Sequence, residues 1–169
     1  MEIKSYQDSP FTPLNEAVLF RNQAKLENKS FVLTNGCFDL LHSGHVHSLI
    51  EASKFGDYLW VALNSDHSIK KLKGNTRPII PERDRAFVLN SLSCVAGVTL
   101  FDTKRLNKEI ITLKPDIYVK SGDYNTSSIA KEESLALSQV NAEIKFVSFL
   151  SGKSTSNLIE EIILKSHLE

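Results

Sequence analysis

Five short apolar runs punctuate the chain: FVLTN from Phe31, YLWVALN from Tyr58, VAGVTLF from Val95, DIYVK from Asp116 and EIKFVSF from Glu143. Each is rich in β-branched or aromatic residues, and most lack strict polar alternation, as expected of strands buried on both faces. Between them lie stretches with helical spacing, over 45–54, 81–92, 104–113, 128–139 and 155–165. Strand and helix alternating at this spacing predict βαβ units with right-handed crossovers, and so an α/β three-layer sandwich around a five-stranded parallel sheet.

A further helix is predicted over 12–28, with Leu14, Val18, Leu19 and Leu26 forming its apolar face. Pro81, Glu82 and Asp84 read as a helix first turn, where proline is tolerated and carboxylates suit the dipole. Asp57 after Gly56 reads as the stop before the second strand. The segment KLKGNTRPIIP, from Lys71 to Pro81, carries three cations, one glycine and two prolines without an amphipathic period, and reads as a surface loop suited to binding.

Composition narrows the function classes. The 169 residues suit one domain with a real core, and 41% apolar with 24% charged residues is ordinary for a globular protein. Twenty basic residues balance twenty acidic ones, so nothing in the overall charge points to a nucleic-acid or membrane partner. No apolar stretch approaches the roughly 20 residues of a membrane span, and the first residues have no signal-peptide core. A cytoplasmic protein is expected. The two cysteines, Cys37 and Cys94, lack zinc-like spacing.

The chemistry concentrates in TNGCFDLLHSGH, residues 34–45, at the carboxyl end of the first predicted strand, where open parallel sheets bind ligands. Asn35-Gly36 is expected to supply a sharp turn, and exposed N–H groups there suit anionic oxygens. His42 and His45, with Gly44 between them, fall at the first turn of the next helix. Two readings stand at this point: capping or solvated histidines, or donors to a phosphate. His42, His45 and Asp39 offer a poor metal site, since the histidines lack the i, i+4 spacing of helical zinc motifs. Cys37 reads either as a thiolate favoured by the helix start or as a small packing residue.

TNGCFDLLHSGH resembles the HxGH signature of the nucleotidyltransferase (cytidylyltransferase-like) superfamily. Further resemblances follow in order: ALNSD from Ala62, LKGNTRPIIPERDRAFVLNSL from Leu72, KPDIYVKSGDY from Lys114, and SGKSTSNLIEEI from Ser151, which is similar to the ISTT-type element. The likeness runs from about Leu14 to Ile163. Within the superfamily it is strongest to the D-glycero-β-D-manno-heptose 1-phosphate adenylyltransferases, found as the C-terminal half of a bifunctional kinase/adenylyltransferase or as a separate protein. This chain has no room for the kinase half. Ser121 replaces the first glycine of the family's GGDY, and Asn141 stands where a Gly-Gly pair is usual.

The resemblance implies a Rossmann-like HxGH nucleotidyltransferase fold, with residues 1–29 as a helical extension and 30–169 as the nucleotidyltransferase domain. It also implies adenylyl transfer from ATP to a heptose 1-phosphate, giving ADP-heptose and pyrophosphate for surface-glycan synthesis. Mg²⁺ is expected with ATP, as is a homo-oligomer. A phosphate monoester is already a nucleophile, so alignment and charge stabilisation should suffice without a general base. His42, His45 and Lys73 are the implied catalytic groups. Asn35, Gly36, Cys37, Phe38, Gly44, Lys120, Gly122, Asp123, Ser154, Thr155 and Ser156 are expected around ATP, with Tyr124 near the adenosine. Asp39, Asn64, Asp66, Lys71, Arg77 and Arg85 are expected near the acceptor, Lys71 at its phosphate; an ion pair of Arg85 with Glu82 is an equal reading. Other acceptors remain open, namely glycerol 3-phosphate with CTP, or a pantetheine or flavin phosphate. So does a non-catalytic nucleotide-binding module.

Overall fold

The computed structural model describes residues 6, 10–122, 129–148, 150 and 155–166, apart from the side chain of Ser156. Five strands form one parallel sheet: β1 (Phe31–Gly36), β2 (Tyr58–Asn64), β3 (Gly97–Phe101), β4 (Ile117–Ser121) and β5 (Glu143–Val147). Their order is β3-β2-β1-β4-β5, so the chain reverses direction across the sheet between β1 and β4. Phe31 pairs with Tyr58 on one side, and Val32 with Ile117 on the other. This is the Rossmann-like five-stranded sandwich expected of the sequence.

Helices α1 (Leu14–Leu26), α5 (Asn107–Leu113) and α6 (Lys131–Gln139) cover one face; α2 (Ser43–Ser53) and α4 (Glu82–Asn90) cover the other. Successive strand side chains point to opposite faces. Phe31, Leu33 and Trp60 therefore join Ala17 and Ile110, while Val32, Leu59 and Val61 join Leu49, Ala52 and Leu89. Two cores result, which is why the strands read as unbroken apolar runs. The remaining helices are α3 (Asp66–Lys73) and α7 (Thr155–Ser166). Among the described residues no helix is long and apolar enough to cross a membrane.

Several local expectations need correction. On α1 the inward face is Ala17, Arg21 and Ala24, with Leu14, Val18 and Phe20 alongside; Leu19 and Leu26 are exposed. A buried arginine breaks the apolar stripe, because its Nη2 pairs with Asp116 at 2.7 Å and its Nε donates to the Lys114 carbonyl. The basic segment from Lys71 does not start as a loop: Lys71 and Lys73 lie in the last turn of α3, and the loop begins at Gly74, whose φ is 92°. At eight residues, three of them lysines, α3 is too short and polar to show a period. It forms because Ser65 caps it, its Oγ accepting from the Ser68 N–H. Helices α5 and α6 begin later than expected, at Asn107 and Lys131. Asn141 takes the left-handed conformation at φ 56° in the turn before β5, which asparagine tolerates.

Candidate active site

The polypeptide leaves β1 at Gly36. The expected turn at Asn35-Gly36 is displaced: both residues belong to β1, and the left-handed residue is Phe38, at φ 45°. Gly36 serves another purpose. A Cβ there would stand 2.8 Å from the Phe38 ring, so only glycine lets that ring fold back over the strand end. Phe38 then meets His45 edge-on, with centroids 5.3 Å apart.

The capping reading holds for His42, and the geometry is compatible with the donor reading. His42 is the N-cap of α2, its Nδ1 accepting from the Gly44 N–H at 3.1 Å. With Nδ1 occupied as an acceptor, the ring proton of neutral His42 sits on Nε2, where it can be donated. His45 stacks on His42 with ring centroids 3.9 Å apart. Burial, His42 and Lys73 push the His45 pKa down to about 4, against the opposing Leu40 backbone. Neutral imidazoles beside a helix N-terminus still donate one N–H each, and an incoming anion reverses the electrostatic cause of the depression.

Beneath this turn lies Arg85, 2% exposed. Its guanidinium donates to the carbonyls of Cys37 (2.5 Å), Asn64 (2.9 Å) and Ile80 (2.9 Å) and to Asp66 Oδ1 (2.7 Å). Arg85 therefore binds the ends of β1 and β2 together and does not face a substrate; its carboxylate partner is Asp66 and not Glu82, which instead accepts from the Asp66 N–H. Asp39 plays a similar part for the loop after α3, accepting from the N–H groups of Ile79 and Ile80 and pairing with Arg77 Nε at 2.7 Å. Burial pushes the Cys37 thiol up, outweighing the pull of Lys73 and Arg85, so Cys37 is a packing thiol beside Asn64 Oδ1.

A cleft of about 420 Å³ opens beyond the carboxyl ends of β1 to β4, spanning the β1/β4 reversal where such sheets bind ligands. Of the residues singled out in the sequence, Asn35, Gly36, Cys37, Phe38, Asp39, His45, Asn64, Lys73, Lys120 and Thr155 line it. His42 and Gly44 stand directly behind His45. Asp66, Lys71, Arg77, Arg85 and Gly122 do not line the cleft. Residues two apart on a helix diverge by about 200°, so Lys73 reaches the cleft while Lys71 lies toward Asp102. Gly122, at φ 124°, donates its N–H to the Val147 carbonyl. Asp123, Tyr124, Ser154 and the Ser156 side chain lie outside the described residues.

Around Lys120, which the sequence singled out, the far wall holds groups that sequence reasoning missed. Lys120 Nζ donates to Asn35 Oδ1 at 2.8 Å and faces Glu133 Oε2 at 3.5 Å; Tyr118 Oη also donates to Asn35. Burial lowers the Lys120 pKa, and Glu133 opposes that shift. Glu133, 4% exposed, also accepts from the Leu106 N–H at 3.1 Å. Lys104 and Arg105 line the cleft as well, on the connection after β3. The strand-end rule would have found them, had a helix not been expected to start at Lys104. Ser48, one turn beyond His45 on α2, lines the cleft with a buried Oγ that has no hydrogen-bond partner among the described residues.

Comparison with known proteins agrees with this geometry. The cytidylyltransferase-like family model matches residues 33–161. The bifunctional protein HldE of Geotalea uraniireducens is 46% identical over 82% of this chain, and that of Helicobacter pylori strain J99 is 48% identical over 85%. The matches take in 28% and 29% of those relatives, so the chain spans under a third of their length. The structure of a lipopolysaccharide core biosynthesis protein from Thermoplasma volcanium is similar at a TM-score of 0.58 and 30% identity, covering 74% of this chain and 99% of that one.

Proposed function

Because this chain belongs to the cytidylyltransferase-like family and is a nucleotidyltransferase, we propose that it moves the adenylyl group of ATP to a sugar 1-phosphate. D-glycero-β-D-manno-heptose 1-phosphate is the acceptor proposed, giving ADP-heptose and pyrophosphate. The observation that carries this reading is the His42–His45 pair at the start of α2, with the first ring's tautomer set by Gly44. Such a pair presents donors to a phosphate and offers no nucleophile of its own.

An acceptor phosphate oxygen supplies the electron pair for a new bond to the α-phosphorus. The bond from that phosphorus to the bridging oxygen breaks, and its pair leaves on pyrophosphate. His42 and His45 donate to the α-phosphate oxygens as charge gathers there, and Lys73 neutralises the departing oxygens. Thr155, at the start of α7 and on the cleft wall, adds a hydroxyl and the helix terminus for the outer phosphates.

The donor set fits Mg²⁺ only as an ion that enters with the nucleotide. Among the described residues, the two carboxylates on the cleft wall are already engaged, Asp39 by Arg77 and Glu133 by Lys120. Triphosphate oxygens and water would hold the ion, which would supply charge neutralisation across the phosphates.

The test is pyrophosphate release from each nucleoside triphosphate with a panel of sugar and cofactor phosphates. Turnover with ATP and heptose 1-phosphate is expected. Turnover confined to another acceptor would sink the specific assignment, and none with any pair would sink the reading itself.

A further inference from the structure

The cleft has two cationic walls on opposite faces of the sheet. One is built on α2 and α3, with His45 and Lys73; Leu49 of α2 belongs to the core on that face. The other includes Lys104, Arg105 and Lys120, and Leu106, the next residue, belongs to the opposite core.

Among the described residues, carboxylates balance the charge on the second wall only at Lys120. Of the acids lining the cleft, Asp39 is held by Arg77, and Glu133 is shared between Lys120 and the Leu106 N–H. Asp102, the acid nearest Lys104 in the chain, turns away and accepts from Ser65 Oγ and faces His67 Nδ1. Lys104 and Arg105 form no ion pair among the described residues and stand exposed at the rim of the cleft. Arg105 is also close enough to Lys120 to disfavour its charged form. Cations that outnumber the carboxylates at a cleft mouth are a standing attraction for an anion.

Adenylyl transfer brings two anions together, and in-line displacement requires the nucleophile to approach opposite the departing pyrophosphate. If the triphosphate lies along the histidine wall, the acceptor enters from the other one. Lys71, the cation that resemblance assigns to the acceptor's phosphate, is not on the cleft wall.

We propose that Lys104 and Arg105 form the acceptor-phosphate site, holding the attacking phosphate of the sugar 1-phosphate against the α-phosphate of ATP. The proposal rests on the adenylyltransferase reading. It makes the β3–α5 connection a determinant of acceptor binding, while the histidine wall serves the nucleotide.

The test uses the full chain and the sugar 1-phosphate that gives the fastest pyrophosphate release with ATP. Charge-assisted hydrogen bonds of this kind are worth about tenfold or more in binding. The K104A/R105A double variant should therefore raise the acceptor KM about tenfold or more and leave the ATP KM within about twofold, and K104R/R105K, which keeps both charges, should recover most of the loss. Thermal unfolding checks that the exposed loop tolerates the changes, and K104Q and R105Q singly provide milder variants if it does not. An unchanged acceptor KM, or an ATP KM that rises by the same factor, overturns the proposal. If wild-type protein turns over no acceptor, the adenylyltransferase reading fails and this proposal with it.

Discussion

The two walls of the cleft are made in different ways. The histidine wall is nearly continuous in sequence: β1, the Phe38 turn and the first turn of α2 follow within fifteen residues, from Phe31 to His45. The second wall collects Lys104 and Arg105 after β3, Lys120 from β4 and Glu133 from α6. A contiguous segment can carry its own turn and cap. A wall drawn from a loop, a strand and a helix of two successive crossovers exists only when sheet order and register are in place.

The contrast breaks most sharply at Arg85. If the histidine wall were self-sufficient, removing this buried cation would leave it intact. Yet Arg85 holds Cys37, Asn64 and Asp66 together, and R85A leaves Asp66 and three carbonyls without their partner. A stability loss of about 3 kcal/mol or more is expected, read as the denaturant midpoint. Unchanged stability would show that the turn holds itself.

The next effect is chemical. His42→Asn keeps a capping side chain at the α2 start and removes the Nε2–H donor. Turnover should fall by about 3 kcal/mol of transition-state stabilisation, roughly a hundredfold, with thermal stability little changed; H45A should lose a similar amount. Activity within a few-fold of wild type in both variants would end the phosphate-donor role.

On the opposite wall, Glu133→Gln removes the charge that supports protonated Lys120. Burial then goes less opposed, and the Lys120 pKa falls further. The alkaline limb of the pH–rate profile should move to lower pH, and a limb that stays in place would show that Lys120 does not meet an anion in the cleft.

The last effect is on stability in mild acid. His45 titrates at about 4 in the folded chain, against an ordinary 6.5 when unfolded, so the unfolded state takes up the proton first. Its contribution is fully present above pH 6.5 and is lost as pH falls toward 4. The denaturation midpoint should drop across that window, and less steeply in His45→Asn. Equal slopes in the two proteins would remove His45 as the cause.

Much of this was legible in the chain. The apolar runs marked all five strands, and HSGH with the strand before it marked the site, because both signals are carried by neighbouring residues. Helix α3 escaped because only Ile69 and Leu72 are apolar among its eight residues. Leu19 and Leu26 of α1 looked like core, while the packed residue is Arg21, whose charge is met by Asp116 ninety-five positions away.

The sequence by itself determined the alternation of strand and helix, the two-faced burial of the sheet and the paired histidines at the start of α2, since periodicity, capping and turn chemistry act over a few residues. The tertiary structure alone decided which cations share the cleft. Lys73 reaches it and Lys71 does not, Arg85 is sealed beneath it, and Lys104 and Arg105 arrive from across the sheet. Those outcomes depend on helix phase, strand register and the path of each crossover, which no local stretch of residues contains.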